Sequence, residues 1–158
     1  MTQLYARFDR VDRIIVRWLA RYSVTLLRFG MGIVFLWFGA LKFFPGLSPA
    51  TNLALRTIDT LTFGLVPANV AIILLATLET VIGLGFLTGK FMRVILALLV
   101  FQMAGTVTPL VLFPAETFTI FPIAPTLEGQ YIIKNVVLIA AALVIGATVR
   151  GGQLVAEP

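Results

Sequence analysis

Cysteine and histidine are absent from this chain of 158 residues. Without thiolate or imidazole donors there is no disulfide framework, no iron–sulfur or c-type haem attachment and no ordinary zinc set. The four methionines are the only soft ligands left, so no metal centre is expected within the chain itself. Charge is also scarce. Acidic and basic residues make up 12% of the chain, whereas a soluble domain carries about 25%. The hydrophobic fraction is 59% and the mean hydropathy +1.03, which places the chain among integral membrane proteins. A net charge of +5 and a pI near 10.3 would point to nucleic acid in a soluble protein. Here the cations are read for membrane orientation instead, and no nucleic-acid partner is expected.

A spanning helix takes about 20 apolar residues. Long apolar runs predict four such helices, at about 23–44, 67–88, 91–113 and 131–149. Nothing shows the ten-residue alternation of a membrane barrel. The first run is too long for a cleaved signal segment, carries Lys42 at its far end and lacks a small-residue cleavage pattern, so it is expected to remain in the chain. The expected fold is therefore an all-α integral membrane four-helix bundle, a single membrane domain over 1–158 surrounded by lipid bilayer.

Lys and Arg in the short connections set the orientation. Arg7, Arg10, Arg13, Arg17 and Arg21 precede the first run, Lys90 and Arg93 join the second to the third, and Arg150 follows the fourth. The opposite connections hold only Arg56, with Asp59, Glu116 and Glu128. This bias predicts a bacterial cytoplasmic (inner) membrane protein with both termini in the cytoplasm.

Residues 1–22 are expected to form an N-terminal amphipathic interfacial helix. Leu4, Phe8, Val11, Ile15, Trp18 and Tyr22 recur at three and four residues, and Arg10, Arg13, Arg17 and Arg21 share another face. Asp9 is placed to pair with Arg13 one turn on. Such a helix would anchor the chain on the inner leaflet or dock a cytoplasmic partner. On the outer side, Ser48-Pro49 reads as a helix start, and Leu53, Leu55, Ile58 and Leu61 supply apolar positions before Gly64. The second outer connection, with Pro114, Pro122 and Pro125 among apolar residues, reads as too proline-rich for a helix and is expected to fold back onto the bundle as a lid or a plug.

Polar side chains inside hydrocarbon are costly and usually turn inward to partners. Counting from the ends of the apolar runs puts Arg28 roughly 7 Å and Glu79 roughly 13 Å deep, a gap that an extended Arg side chain bridges, with Gln102 near the depth of Glu79; this predicts an Arg28–Glu79 pair completed by Gln102. That cluster is either architectural or a proton path. Nearer the outer surface, Lys42 and Lys134 fall at a common level beside Asn135 and the Thr108-Pro109 break. Each lysine alone reads as snorkelling to headgroups. Together they suggest a pocket for a ligand with an anionic or carbonyl head and an apolar body, such as a quinone or a lipid. Small residues, among them Gly32, Gly39, Gly83, Gly85 and Gly89, permit close helix packing within one chain or between copies in a homo-oligomer.

Leu27-Arg28, Gly32 and Phe38-Gly39-Ala40-Leu41-Lys42-Phe43 resemble the first-helix signature of the DoxX-like family of small four-helix bacterial membrane proteins. Glu79 followed by Gly83, then Thr108-Pro109-Leu110, then Lys134-Asn135, extend the resemblance over roughly 23–149, closest to the YkgB-type branch. The short outer connection before the second run departs from that branch, which often has a longer one. The resemblance implies a membrane component linked to redox chemistry. Some members are similar to membrane subunits of thiosulfate:quinone oxidoreductases, and others are linked with oxidative-stress defence alongside separate redox enzymes. A chain without Cys, His or a nucleotide-binding loop can position a quinone but not hold the usual redox relay. The expectation is thus an accessory subunit of a larger redox assembly, with no catalytic residues of its own, other redox or membrane subunits as partners and a quinone or lipid as ligand. The alternative is a small proton-coupled transporter or lipid-handling protein. An autonomous enzyme ranks last, since no nucleophile–base set is visible.

Overall fold

The computed structural model describes residues 2–49 and 51–154, with side chains from Phe8 onward; the parts of the expected helix and orientation pattern that rest on Leu4 and Arg7 lie outside the described side chains. Four of its helical stretches are long and apolar enough to cross a membrane, Phe8–Leu41, Ala68–Thr88, Met92–Leu112 and Leu127–Ala147. They match the four predicted apolar runs to within a few residues at most ends.

The first is part of α1, Thr2–Leu41, an unbroken helix of 40 residues. The expected boundary near residue 23 does not exist as a break, because no Pro or Gly interrupts the sequence before Gly30. The Asp9–Arg13 pair does not form either; the Arg13 carbonyl instead accepts a bond from Arg17 Nε at 3.1 Å. α2 (Thr51–Leu61) is the expected short outer helix, but it begins after Ser48-Pro49, which sits in the preceding turn with the Ser48 carbonyl accepting from the Thr51 amide. α3 (Ala68–Thr88) returns across the membrane and ends at Gly89. α4 (Met92–Val107) breaks at Thr108, where proline cannot continue the backbone ladder, and resumes as α5 (Pro109–Leu112).

The connection that follows α5 is more ordered than its proline content suggests. Pro114 serves as the first residue of a one-turn helix, α6 (Pro114–Thr117), a position where a missing N–H costs nothing. Two short antiparallel strands follow, β1 (Phe118–Ile120) and β2 (Ala124–Pro125). Thr117 is fully buried, its carbonyl accepts from the Thr126 amide, and Arg56 of α2 pairs with Glu116, so the segment is tied down at both ends. The fourth stretch is α7 (Leu127–Ile133), capped by the Thr126 hydroxyl, and α8 (Asn135–Ala147), with a break at Lys134.

The core lies where α1, α3, α4 and α8 meet and contains Met31, Phe35, Ile82, Phe86, Leu99, Met103 and Ile145. The closest contact is between α1 and α3. A Cβ on Gly39 would stand 2.8 Å from the Thr80 amide nitrogen, and one on Gly83 would overlap the backbone of Leu36. Small residues at these positions let the two backbones touch, which is the main source of helix association where lipid removes the hydrophobic drive. The tight glycines are therefore spent inside the chain. Gly30 and Gly105, by contrast, face open space.

Candidate functional site

The α1–α3 contacts fix a register. Gly39 meets Thr80, Leu36 meets Gly83 and Gly32 meets Leu87, so Ala40 lies level with Glu79. Lys42, just past the end of α1, is then within reach of Glu79. Its Nζ donates to Glu79 Oε2 at 2.6 Å and weakly to its own helix through the Phe38 carbonyl at 3.4 Å. Gln102 of α4 donates from Nε2 to the other carboxylate oxygen at 3.1 Å. The Lys42 and Glu79 side chains are 8% and 9% exposed, and Gln102 as a residue is 8% exposed. One carboxylate on α3 thus holds α1 and α4 through two hydrogen bonds.

Arg28 is not part of this cluster, and the expected Arg28–Glu79 pair is corrected to Lys42–Glu79. Arg28 lies about twelve residues below the Glu79 level on α1, roughly 18 Å at 1.5 Å per residue, beyond the reach of its side chain. Its Nη1 instead donates to the carbonyls of Phe86 and Leu87 in the last turn of α3. These are carbonyls without intrahelical partners, and a cation there also meets the negative end of the helix dipole. Gly89, with φ 70°, closes the turn and leaves room for the guanidinium; a Cβ there would stand 2.8 Å from Arg28 Nη1. Flush helix ends would bring Arg28 near Glu79. In fact they are staggered: α1 runs far past α3 on one side, and the first part of α3 runs past α1 on the other, where α2 covers it.

The second expected set is also divided. Lys42 is drawn into the buried cluster. Lys134 is exposed at the α7–α8 break, its Nζ 5.4 Å from the Tyr131 ring centroid. Asn135 is half-buried in the first turn of α8. Thr108 returns its hydroxyl to the Ala104 carbonyl at 2.8 Å. Two shallow concavities, of about 220 and 230 Å³, lie elsewhere: one between Arg56, Asp59 and Ala68, the other along Trp18, Tyr22 and Phe29. Among the described residues no three His, Cys, Asp or Glu side chains converge as a metal-binding group.

Two polar atoms in and beside the cluster have no partner among the described residues. Gln102 Oε1 and Thr80 Oγ1 are buried and unbonded. Reversing the amide would set the Gln102 oxygen against the Glu79 carboxylate and leave the nitrogen orphaned, so the orientation found is the favourable one. The cluster therefore encloses an acceptor whose hydrogen-bonding capacity is not used among the described residues. Thr80 was missed in the sequence; its only signal is adjacency to Glu79.

A model of the DoxX family matches residues 23–114. The chain belongs to the DoxX family. The matched segment holds Arg28, Lys42, Glu79, Gln102 and the Thr108-Pro109 break, and it ends before α7 and α8. No curated protein and no solved structure matches the chain.

Proposed function

We propose that this DoxX protein is an accessory membrane component of a larger quinone-linked or oxidative-stress redox assembly, in which it holds its partner at the membrane and supplies part of a quinone or lipid site. We read it as a bacterial inner-membrane protein with both termini in the cytoplasm, and the first-helix and Lys134-Asn135 motifs favour the YkgB-type branch. The observation that carries the reading is the closed Lys42–Glu79–Gln102 cluster. Both carboxylate oxygens of Glu79 are engaged in binding helices together, a role of architecture, while Gln102 Oε1 is left as an acceptor for the hydroxyl of a polar head. A cation–carboxylate–amide set can orient and discharge a carbonyl or hydroxyl head group, but it offers no electron relay, so electron transfer belongs to the quinone and to a partner. The transporter alternative has Arg28, Glu79 and Gln102 lining one path; Arg28 lies roughly 18 Å from the Glu79 level and is bonded to carbonyls of α3, which favours the first reading.

The test is extraction in mild detergent followed by native mass spectrometry and organic extraction of the bound lipids. The expected result is a complex with a second, redox-active protein and a bound isoprenoid quinone or phospholipid that is depleted in the Gln102→Leu variant. A chain that migrates alone and carries neither would overturn the proposal.

A further inference from the structure

The bundle ends, on the side of the α3 C-terminus, at about the level of Arg28, and Val24 is the last residue of α1 toward the N-terminus that packs on the core. From Phe8 to Ser23 every residue is exposed. That is an unpartnered helical arm of about 24 Å at 1.5 Å per residue. All of it but Ser23 precedes the family-matched segment. None of Arg10, Arg13, Arg17 and Arg21 pairs with an acid among the described residues.

The arm keeps the facing of the span it continues. Positions seven apart on an α-helix return to within about 20°. Ile15 and Tyr22 therefore fall in line with Phe29, and Leu19 and Leu26 with Ile33; all six are 41–53% exposed, and Leu26, Phe29 and Ile33 lie beyond the arm in the span, where an exposed apolar side chain faces lipid. The row Arg21, Arg28, Phe35, Lys42 and the row Arg10, Arg17, Val24, Met31 run along the side that packs on the bundle, so these arginines flank the apolar arc on one side, while Asp12 falls in the row of Leu19 and Leu26 on the other. A helix that leans away from the bundle on leaving the hydrocarbon lays onto the leaflet the same arc that faced lipid inside it. Long Arg side chains at the border of that arc reach phosphates while their stems stay on apolar surface.

We propose that this arm is a binding surface for anionic lipid headgroups, seating Ile15, Trp18, Leu19 and Tyr22 in the headgroup boundary with Arg10, Arg17 and Arg21 on the lipid phosphates. The occupant is the leaflet, because the arm's apolar arc is continuous with the lipid-facing arc of the span and because Arg10, Arg13, Arg17 and Arg21, against Asp9 and Asp12, leave the arm with a net positive charge. It does not depend on what occupies the Lys42 cluster.

Trp18 and Trp37 are the only tryptophans. The full chain carrying Trp37→Phe is placed in bilayers of phosphatidylcholine, with or without phosphatidylglycerol, and Trp18 emission is quenched with lipids brominated at different depths. Quenching should be strongest for bromines nearest the headgroup and should increase with phosphatidylglycerol. The increase should be lost when Arg10, Arg17 and Arg21 are replaced by Gln or when salt is raised to screen the headgroups. A Trp18→Phe chain reports Trp37 instead and should show no dependence on headgroup charge, which verifies that the span is intact. Trp18 emission that ignores bromolipid, quenching that ignores phosphatidylglycerol, or protection of Trp18 that grows with the number of chains per bilayer, the mark of a second copy, would each overturn the proposal.

Discussion

At the scale of single residues the chain turns on which cation meets Glu79. The Lys42–Glu79 pair is almost wholly buried, so removing one partner strands the other in a low-dielectric site. Glu79→Gln or Lys42→Met alone should cost about 3–5 kcal/mol, read as a lowered unfolding midpoint in detergent, whereas Lys42→Met combined with Glu79→Gln should cost clearly less than the sum of the two single changes. Arg28 acts on its own. Losing its bonds to the Phe86 and Leu87 carbonyls by Arg28→Ala should cost about 1–3 kcal/mol. That cost should add to the Glu79→Gln cost, since the two sites are far apart; strong coupling between them would restore the Arg28–Glu79 pair. The polar inventory at membrane depth was legible in the sequence, because any such residue stands out against apolar neighbours. Its pairing was not, because an arginine and a lysine on one helix look alike until the neighbouring helix is set in register.

At the scale of elements, the register of α1 on α3 is held by contact at glycine rather than by charge. Gly83→Val would drive a side chain into the Leu36 backbone and should lower stability by about 1–3 kcal/mol or more, weakening the Lys42–Glu79 bond as α1 shifts. Gly30→Ala, in open space, should leave the unfolding midpoint unchanged or raise it slightly, as a helix-propensity change does. The spans were readable because hydropathy and length define them. The proline content of the segment between α5 and α7 does not exclude helix, since Pro114 occupies a helical position that needs no N–H. The single-helix character of α1 was missed for a simpler reason: a change from amphipathic to wholly apolar patterning marks a change of surroundings, not of backbone.

At the scale of the whole molecule, the absence of cysteine makes the orientation directly measurable. Single-cysteine chains at Gln153 and Glu128, both exposed, should react with an impermeant maleimide from opposite sides of the membrane: Gln153→Cys only after the cytoplasmic face is opened, Glu128→Cys in intact cells. Labelling of both from one side would overturn the orientation drawn from the Lys and Arg bias. Sequence by itself determined that this is a four-span membrane chain with a handful of ionisable groups at depth. Only the tertiary structure decided that Glu79 is held by Lys42 and Gln102, that Arg28 caps the end of α3, and that the first helix outruns its neighbours. The physical reason is that hydropathy is a sum over a segment and hardly changes when one helix slides along another. Each residue of slide, however, moves a side chain by about 1.5 Å and turns it by about 100°. Contacts such as those at Gly39 and Gly83 select one position from that series, and the partners of every buried charge follow from it.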